Sequence, residues 1–224
     1  MKASVEPRAN ASSNAEAPNL QLKLAWMNLP LKVHRLLGGG TYGSVYEVET
    51  VDKLRFAAKV LKQLDQAYTH PENELHDLRD LAKEGALQIR CSSSPYIVPA
   101  IGMGHVEGAS TSNGACLLMG LCDAPLWSVL SKDQGVSMSQ RLLWSVHVAA
   151  GLMHLHSQKV IHLDLKLDNI LLRKGCGSSG PTAMIGDFGL ARATSMEGHI
   201  VVGMNQAFAA SYRCPECTCL QVPR

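Results

Sequence analysis

No apolar run in this 224-residue chain approaches the roughly 18 residues needed to span a bilayer. No secretory-type hydrophobic segment precedes the cysteines, and Glu6 and Glu16 argue against a transit peptide, which is poor in acids. Charge of one sign is not in excess: 21 Lys and Arg face 19 Asp and Glu, a net of +2. That balance argues against nucleic acid or an acidic membrane surface as a partner. The seven cysteines are an odd count, which suits free thiols in a reducing compartment better than a disulfide framework. There is no internal repeat. These absences predict a soluble intracellular protein, cytoplasmic or nuclear, with no membrane and no nucleic-acid partner. What is present is an ordinary globular balance, 46% hydrophobic and 18% charged, long enough for one large domain or two small lobes.

The first 20 or so residues, "MKASVEPRANASSNAEAPNL", lack periodicity and predict a flexible arm, which we bound at 1–24. "LKVHRLLGGGTYGSVYEVET" holds two strand-like segments around a glycine cluster, and "LRFAAKVLK" is a third. A helix is expected within Pro71 to Arg90. "YIVPAIGMGHV" and "ACLLMGLC" are two further strands joined by a Gly/Ser/Thr loop, Glu107 to Gly114. From Ser137 the period changes: Leu142, Leu143, Val146, Ala149, Ala150, Met153 and Leu155 recur at helical spacing, with Ser137 or Ser139 as N-cap. A strand-rich first half with one helix, followed by a helical second half, is an α+β protein with two lobes.

Two stretches carry chemistry. "GGGTYGSV" contains Gly38-x-Gly40-x-x-Gly43. A Walker A loop needs Lys after its last glycine, and Ser44 is there; a dinucleotide fingerprint needs a helix next, and "SVYEVET" continues as a strand. A glycine-rich hairpin whose backbone N–H groups approach phosphates fits best, beside the plainer reading of a tight hairpin. The second stretch is "VIHLDLKLDNILL", where Asp164, Lys166, Asp168 and Asn169 fall within six residues between two short strands. Polar loops held on rigid elements are where chemistry tends to sit, although a solvated turn is the bland alternative.

Gly38, Gly40, Gly43 and Val45, then Lys59 in "AAKV", "HLDLKLDN", "DFG" (Asp187 to Gly189) and "SYRCPE" follow one another in an order that resembles the eukaryotic protein kinases, Ser/Thr type. The resemblance runs from about Val33 to Glu216 and implies a two-lobed fold: residues 25–122 as a β-rich, ATP-binding N-lobe with one helix and a hinge, and 123–224 as a partial, mainly helical C-lobe. It implies ATP and Mg²⁺ as ligands and a protein Ser/Thr hydroxyl as acceptor. By the same resemblance Asp164 orients or accepts the hydroxyl proton, Lys166 reaches the γ-phosphate, and Lys59 holds the α- and β-phosphates. Asn169 and Asp187 would ligate Mg²⁺. Gly38, Gly39, Gly40, Thr41 and Gly43 would cover the phosphates, with Val45 and Ala57 packing on adenine. Met119 takes the gatekeeper position and Gly120 to Cys122 the hinge. Glu84 is the choice for the helical partner of Lys59, with Glu72 and Glu74 as alternatives. Gly85 beside it costs about 1 kcal/mol in a helix interior, and Gln88 falls where the family packs an apolar residue.

Three departures matter. Leu163 stands where the family has arginine, and leucine cannot pair with a phosphorylated activation loop; Thr194 and Ser195 are therefore expected to be ordinary loop residues. Only eight residues follow Glu216, so the long apolar helix and the substrate-binding helices of the C-lobe have no counterpart. This predicts a fragment, a truncated gene product or a degenerate relative, in which Leu142, Val146 and their neighbours lack part of their cover. "CPECTC" supplies three thiols, one short of a tetrahedral zinc site, so free thiols are expected. His154 and His156 point to different faces of their helix and are structural. The leading function is an ATP-dependent Ser/Thr protein kinase. The alternative is a catalytically inactive nucleotide-binding pseudokinase or scaffold, and a third reading is a non-folding truncation.

Overall fold

A computed structural model describes residues 21–24, 30–39, 43–61, 71–106, 115–132, 135–175 and 180–194 of the chain. Its first half is an antiparallel sheet built from β1 (Gln21–Leu24), β2 (Pro30–Gly39), β3 (Gly43–Glu49), β4 (Arg55–Leu61), β5 (Ala100–Val106) and β6 (Ala115–Gly120). The strand order is β1-β2-β3-β4-β6-β5, and β5 pairs back with β1, so the sheet closes on itself. Short runs rich in small and aliphatic residues form the central strands, which are buried on both faces over much of their length. In β4, Ala57, Ala58 and Val60 are buried, and in β6 all of Ala115 to Met119 are buried. Val48, Ala58, Val60, Cys116 and Leu118 form the inner core, with Leu31 and Val33 from β2. On the opposite face Glu47 is buried yet bridged by Arg35 at 2.7 Å and Arg55 at 2.8 Å, which tie three strands together.

The single long helix of this half is α1 (Pro71–Cys91). Its inner face presents Leu81, Glu84, Gly85 and Gln88, all buried, at three- and four-residue spacing. Gly85 has a packing reason: a Cβ there would lie 3.1 Å from both Leu117 Cδ1 and Met103 Sδ. The glycine thus trades helix propensity for a close approach of α1 to the sheet.

The second half begins with β7 (Ala124–Pro125) and α2 (Leu126–Leu130), followed by α3 (Met138–Ser157). Ser137 caps α3, accepting from the Gln140 N–H at 3.1 Å. The short strands are β8 (Val160–Ile161), β9 (Ile170–Arg173), β10 (Thr182–Ile185) and β11 (Arg192–Ala193). They form the sheets β10-β9-β7 and β11-β8. Trp144 anchors α3 by donating its indole N–H to the Pro181 carbonyl at 2.9 Å. One core joins Trp144 and Leu155 of α3 to Val160, Ile170, Leu172, Ala183, Ile185 and Phe188. The fold is therefore α+β, a β-rich lobe with one helix and a smaller, mainly helical lobe.

The structure differs from the expected arm at its edge. Gln21–Leu24 forms β1, because strand pairing to both β2 and β5 supplies the backbone partners a lone four-residue segment lacks. Among the described residues no helix is long and apolar enough to cross a membrane. The cysteines Cys214, Cys217 and Cys219, and Ser195, lie outside the described residues. Cys91, Cys116 and Cys122 are free thiols, with Cys116 and Cys122 both pushed up to about 11 by burial.

Candidate active site

Lys59 leaves the middle of β4 toward α1, where its Nζ donates to Glu84 Oε1 at 2.7 Å and Oε2 at 2.9 Å. The same ammonium reaches Asp187 Oδ1 at 3.0 Å, across 128 residues of sequence. One cation between two carboxylates, in a mostly buried position, is an electrostatic decision. Burial alone draws the Lys59 ammonium down, but Glu84 and Asp187 outweigh it and hold it above its ordinary value. For Asp187 burial pushes upward, while Lys59 and the Gly189 N–H pull harder and leave it lowered. Glu84 is the more deeply buried carboxylate; burial and the neighbouring Asp187 keep it raised despite its pairing with Lys59. Gly189 keeps this cluster open, since a Cβ there would stand 3.3 Å from Asp187 Oδ1.

The polar loop after β8 is the second half of the site. His162 is buried and held neutral, its pKa lowered first by burial. Its Nδ1 accepts from the Asp164 N–H at 3.3 Å, which assigns the ring proton to Nε2, facing the Gly186 carbonyl at 2.9 Å. Phe188 stacks edge-on against this ring at 5.3 Å and is fully buried. His162 therefore fixes the Asp164 backbone to the segment that carries Asp187. Asp164 Oδ2 accepts from Lys166 Nζ at 2.6 Å and from Asn169 Nδ2 at 2.9 Å. The Asn169 amide also donates to the Asp164 carbonyl at 2.8 Å, and the Gly186 N–H donates to the Asn169 carbonyl at 2.9 Å. Two residues here sit in the left-handed region, Leu163 at φ 63° and Asp187 at φ 57°. Aspartate tolerates that conformation; leucine does so at a cost of about 1–2 kcal/mol.

The donor set fits a hard divalent cation. Asn169 spends its Nδ2 on Asp164, leaving its amide oxygen unpartnered among the described residues, and Asp187 Oδ2 is likewise without a hydrogen-bond partner. Oxygen donors of this kind suit Mg²⁺. Among the described residues no three His, Cys, Asp or Glu side chains cluster as a metal cage by themselves.

Between the lobes lies an apolar cluster of Ala57, Val98, Met119 and Met184, with Leu37, Val45, Leu121, Cys122 and Leu171 packed against it. Val45, Ala57, Met119 and Cys122 were singled out from the sequence. Leu37, Leu171 and Met184 were not, although Leu171, two residues past Asn169 in "DNILL", had the alternation that points it back to the cleft. The hinge is tied by the Gly120 N–H to the Pro99 carbonyl and by the Asp123 N–H to the Leu172 carbonyl, both at 2.8 Å. Gly38, Gly39 and Gly43 form the ends of the β2–β3 hairpin; Gly40 and Thr41 lie outside the described residues. At Gly43 a Cβ would meet the Val60 carbonyl oxygen at 2.6 Å, so only glycine allows that strand contact. Glu72 and Glu74 sit in the first turn of α1, and their side chains are likewise outside the described residues.

A model of the protein kinase domain matches residues 31–221, most of the chain. This chain belongs to the protein kinase family. It is similar to the serine/threonine-protein kinase Nek5 of Mus musculus, 29% identical over 70% of this chain and 22% of that protein. It is also similar to the serine/threonine-protein kinase PknD of Mycobacterium tuberculosis, 32% identical over 75% of this chain and 23% of that protein. A tyrosine-protein kinase, Srms of Mus musculus, is 26% identical over 71% of this chain and 29% of that protein. The chain thus spans between about a fifth and a third of the length of these curated relatives. Within the family the chain is of the Ser/Thr type by the majority of its relatives.

Proposed function

We propose that this kinase-family chain binds Mg·ATP between its lobes and transfers the γ-phosphoryl group to Ser or Thr hydroxyls of a protein substrate. The observation that carries the proposal is the convergence of Lys59, Glu84 and Asp187 within 3.0 Å contacts, beside a loop that presents Asp164, Lys166 and Asn169. In this reading residues 25–122 form the ATP-binding lobe and hinge, and 123–224 the substrate-side lobe. The apolar cluster of Val45, Ala57, Met119, Cys122, Leu37 and Leu171 receives adenine, with Gly38 to Gly43 over the phosphates. Lys59, oriented by Glu84, meets the α- and β-phosphate oxygens. Asn169 and Asp187 hold Mg²⁺, which neutralises phosphate charge when bound.

The acceptor hydroxyl donates its proton to Asp164, whose Oδ1 has no partner among the described residues. The hydroxyl oxygen bonds to the γ-phosphorus as the bond to the β–γ bridging oxygen breaks and ADP leaves. Lys166, already beside Asp164, faces the charge on the transferring group. Positioning and charge neutralisation supply most of the acceleration, and the base contributes roughly 10²–10⁴. Lys166, where Ser/Thr-type members place a lysine, supports that acceptor class, and the balance of relatives agrees. Because Leu163 carries no charge, transfer is expected to be indifferent to phosphate on the loop through that contact. Location in the cytoplasm or nucleus belongs to the same proposal.

The test is phosphate transfer from γ-labelled ATP to a generic Ser/Thr acceptor protein. Incorporation above an Asp164→Ala control supports the reading, and incorporation equal to that control refutes it. A second reading, nucleotide binding without turnover, is favoured by one observation: Leu142, Val146 and Met153 of α3 stand more than 60% exposed among the described residues, an apolar helix face that suits a protein partner. It predicts Mg·ATP binding with no incorporation.

A further inference from the structure

Gln88 is the fully buried polar residue on the face of α1 that also carries Glu84. Its Nε2 donates to the Val98 carbonyl at 2.8 Å and lies 3.9 Å from Met119 Sδ, so both amide hydrogens are engaged. Its Oε1 is buried without a partner. One turn further, Ser92 Oγ donates to the Gln88 carbonyl at 2.7 Å and accepts from the Ala100 N–H at 2.9 Å. Glu84, Gln88 and Ser92 thus recur every four residues along one inner stripe of the helix and its end, meeting Lys59, Val98 and Ala100 in turn. Val98 is no ordinary loop residue, because its N–H donates to the Ile185 carbonyl at 2.9 Å, two residues before Asp187.

We infer that Gln88 and Ser92 form a polar clamp that positions the nucleotide site: they hang α1, and with it Glu84, on the same segment that is bonded to the strand leading into Asp187. The inference rests on the nucleotide-binding reading given above. The chemistry separates this role from simple packing. An apolar side chain would fill the site without an orphaned oxygen, and a buried acceptor left unpaired is destabilising. An amide retained at that cost gives direction: it bonds Val98 only when α1 lies at one height and rotation. Loss of one such bond lowers the fraction of molecules with Glu84 in register, and apparent nucleotide affinity falls with that fraction.

The test compares the chain with Gln88→Met, Ser92→Ala and Ser92→Thr in three measurements: thermal midpoint, Mg·ADP affinity by calorimetry, and amide hydrogen exchange over residues 84–91. Gln88→Met keeps volume and exchanges one orphaned acceptor, Oε1, for another, the Val98 carbonyl, so its midpoint is expected to stay close to the parent's. Its Mg·ADP affinity is expected to fall about three- to tenfold, the scale of one hydrogen bond, with faster exchange in α1. Ser92→Ala should likewise weaken affinity and speed exchange, with a lowered midpoint because the Ala100 N–H loses its acceptor, and Ser92→Thr, which retains the hydroxyl, should match the parent. Unchanged exchange in Gln88→Met and Ser92→Ala overturns the clamp whatever the nucleotide does. Faster exchange with affinity within twofold of the parent overturns its positioning role. A parent chain that binds no Mg·ADP refutes the nucleotide reading instead, and exchange alone then judges the clamp.

Discussion

The two long helices, α1 with 21 residues and α3 with 20, are nearly equal in length and opposite in design. α1 is polar on average, yet its inner face is spent on directed contacts: Glu84 to Lys59, Gln88 to Val98, and Ser92, just past its end, to Ala100. α3 is apolar on average, yet only Trp144, Gly151 and Leu155 are buried, and Leu142, Val146 and Met153 face outward. Hydrophobicity alone would have ranked α3 as the better-packed helix. What separates them is direction. A hydrogen bond or ion pair fixes a helix at one rotation, whereas an apolar stripe accepts any cover of similar shape. The helix that serves the site is held by the first kind of contact.

Four predictions sharpen that contrast. The largest effect belongs to the catalytic loop: Asp164→Ala should reduce phosphate transfer by roughly 10²–10⁴ while leaving the Mg·ATP-induced rise in melting midpoint intact. A loss of that rise would make Asp164 a structural part of the nucleotide site instead. Next come the two faces of α3. Leu155→Ala should cost about 2–5 kcal/mol in a denaturant titration, whereas Leu142→Lys or Val146→Lys should stay within about 0.5 kcal/mol. Equal costs on both faces would mean that the outward stripe is covered.

The third prediction concerns pH. Lys59 is held above its ordinary value, so its contribution is full below about pH 10.4 and is lost as pH rises through the raised value. Asp187 is held below its ordinary value, so its contribution is present above about pH 3.9 and is lost as pH falls through the lowered value. Glu84, held up, runs opposite to Asp187: its contribution is present below about pH 4.3 and is lost as pH rises through the raised value. The midpoint difference between the chain and Lys59→Met should therefore be widest on the plateau between these limits and narrow at either end. A difference that does not vary with pH would show that Lys59 acts by packing. The smallest effect is at Leu163: Leu163→Gly should raise stability by about 1 kcal/mol by removing the left-handed strain, read from the shift in denaturant midpoint.

How much of this was legible in the sequence follows from the same distinction. The strands around the glycine cluster could be read because β-branched and aromatic residues alternate there, and α3 could be read as a helix because Leu142 to Leu155 recur at helical spacing, although the face it buries is that of Trp144, Gly151 and Leu155. Lys59, Asp164, Asn169 and Asp187 could be named by their order, but their meeting could not: the 3.0 Å contact of Lys59 with Asp187 joins two elements through the fold alone. β1 was hidden because "QLKL" follows a non-periodic stretch and gains its hydrogen bonds only from β2 and β5. "TAMI" of β10 is too short to show a period, and Met184 therefore went unnoticed in the interlobe cluster. Gln88 looked like a departure from an apolar pattern. Its reason lies in the Val98 carbonyl, which is adjacent in space and ten residues away in sequence.

The most direct test of the central claim is a thermal melt of the chain with and without Mg·ATP, repeated on Lys59→Met. At 100 times its dissociation constant a ligand adds about 2.7 kcal/mol, which for a chain of this size raises the midpoint by roughly 5–10 °C. The account predicts a cooperative transition with that rise, abolished in Lys59→Met. An unshifted midpoint in the parent chain, or an equal rise in both proteins, would contradict it.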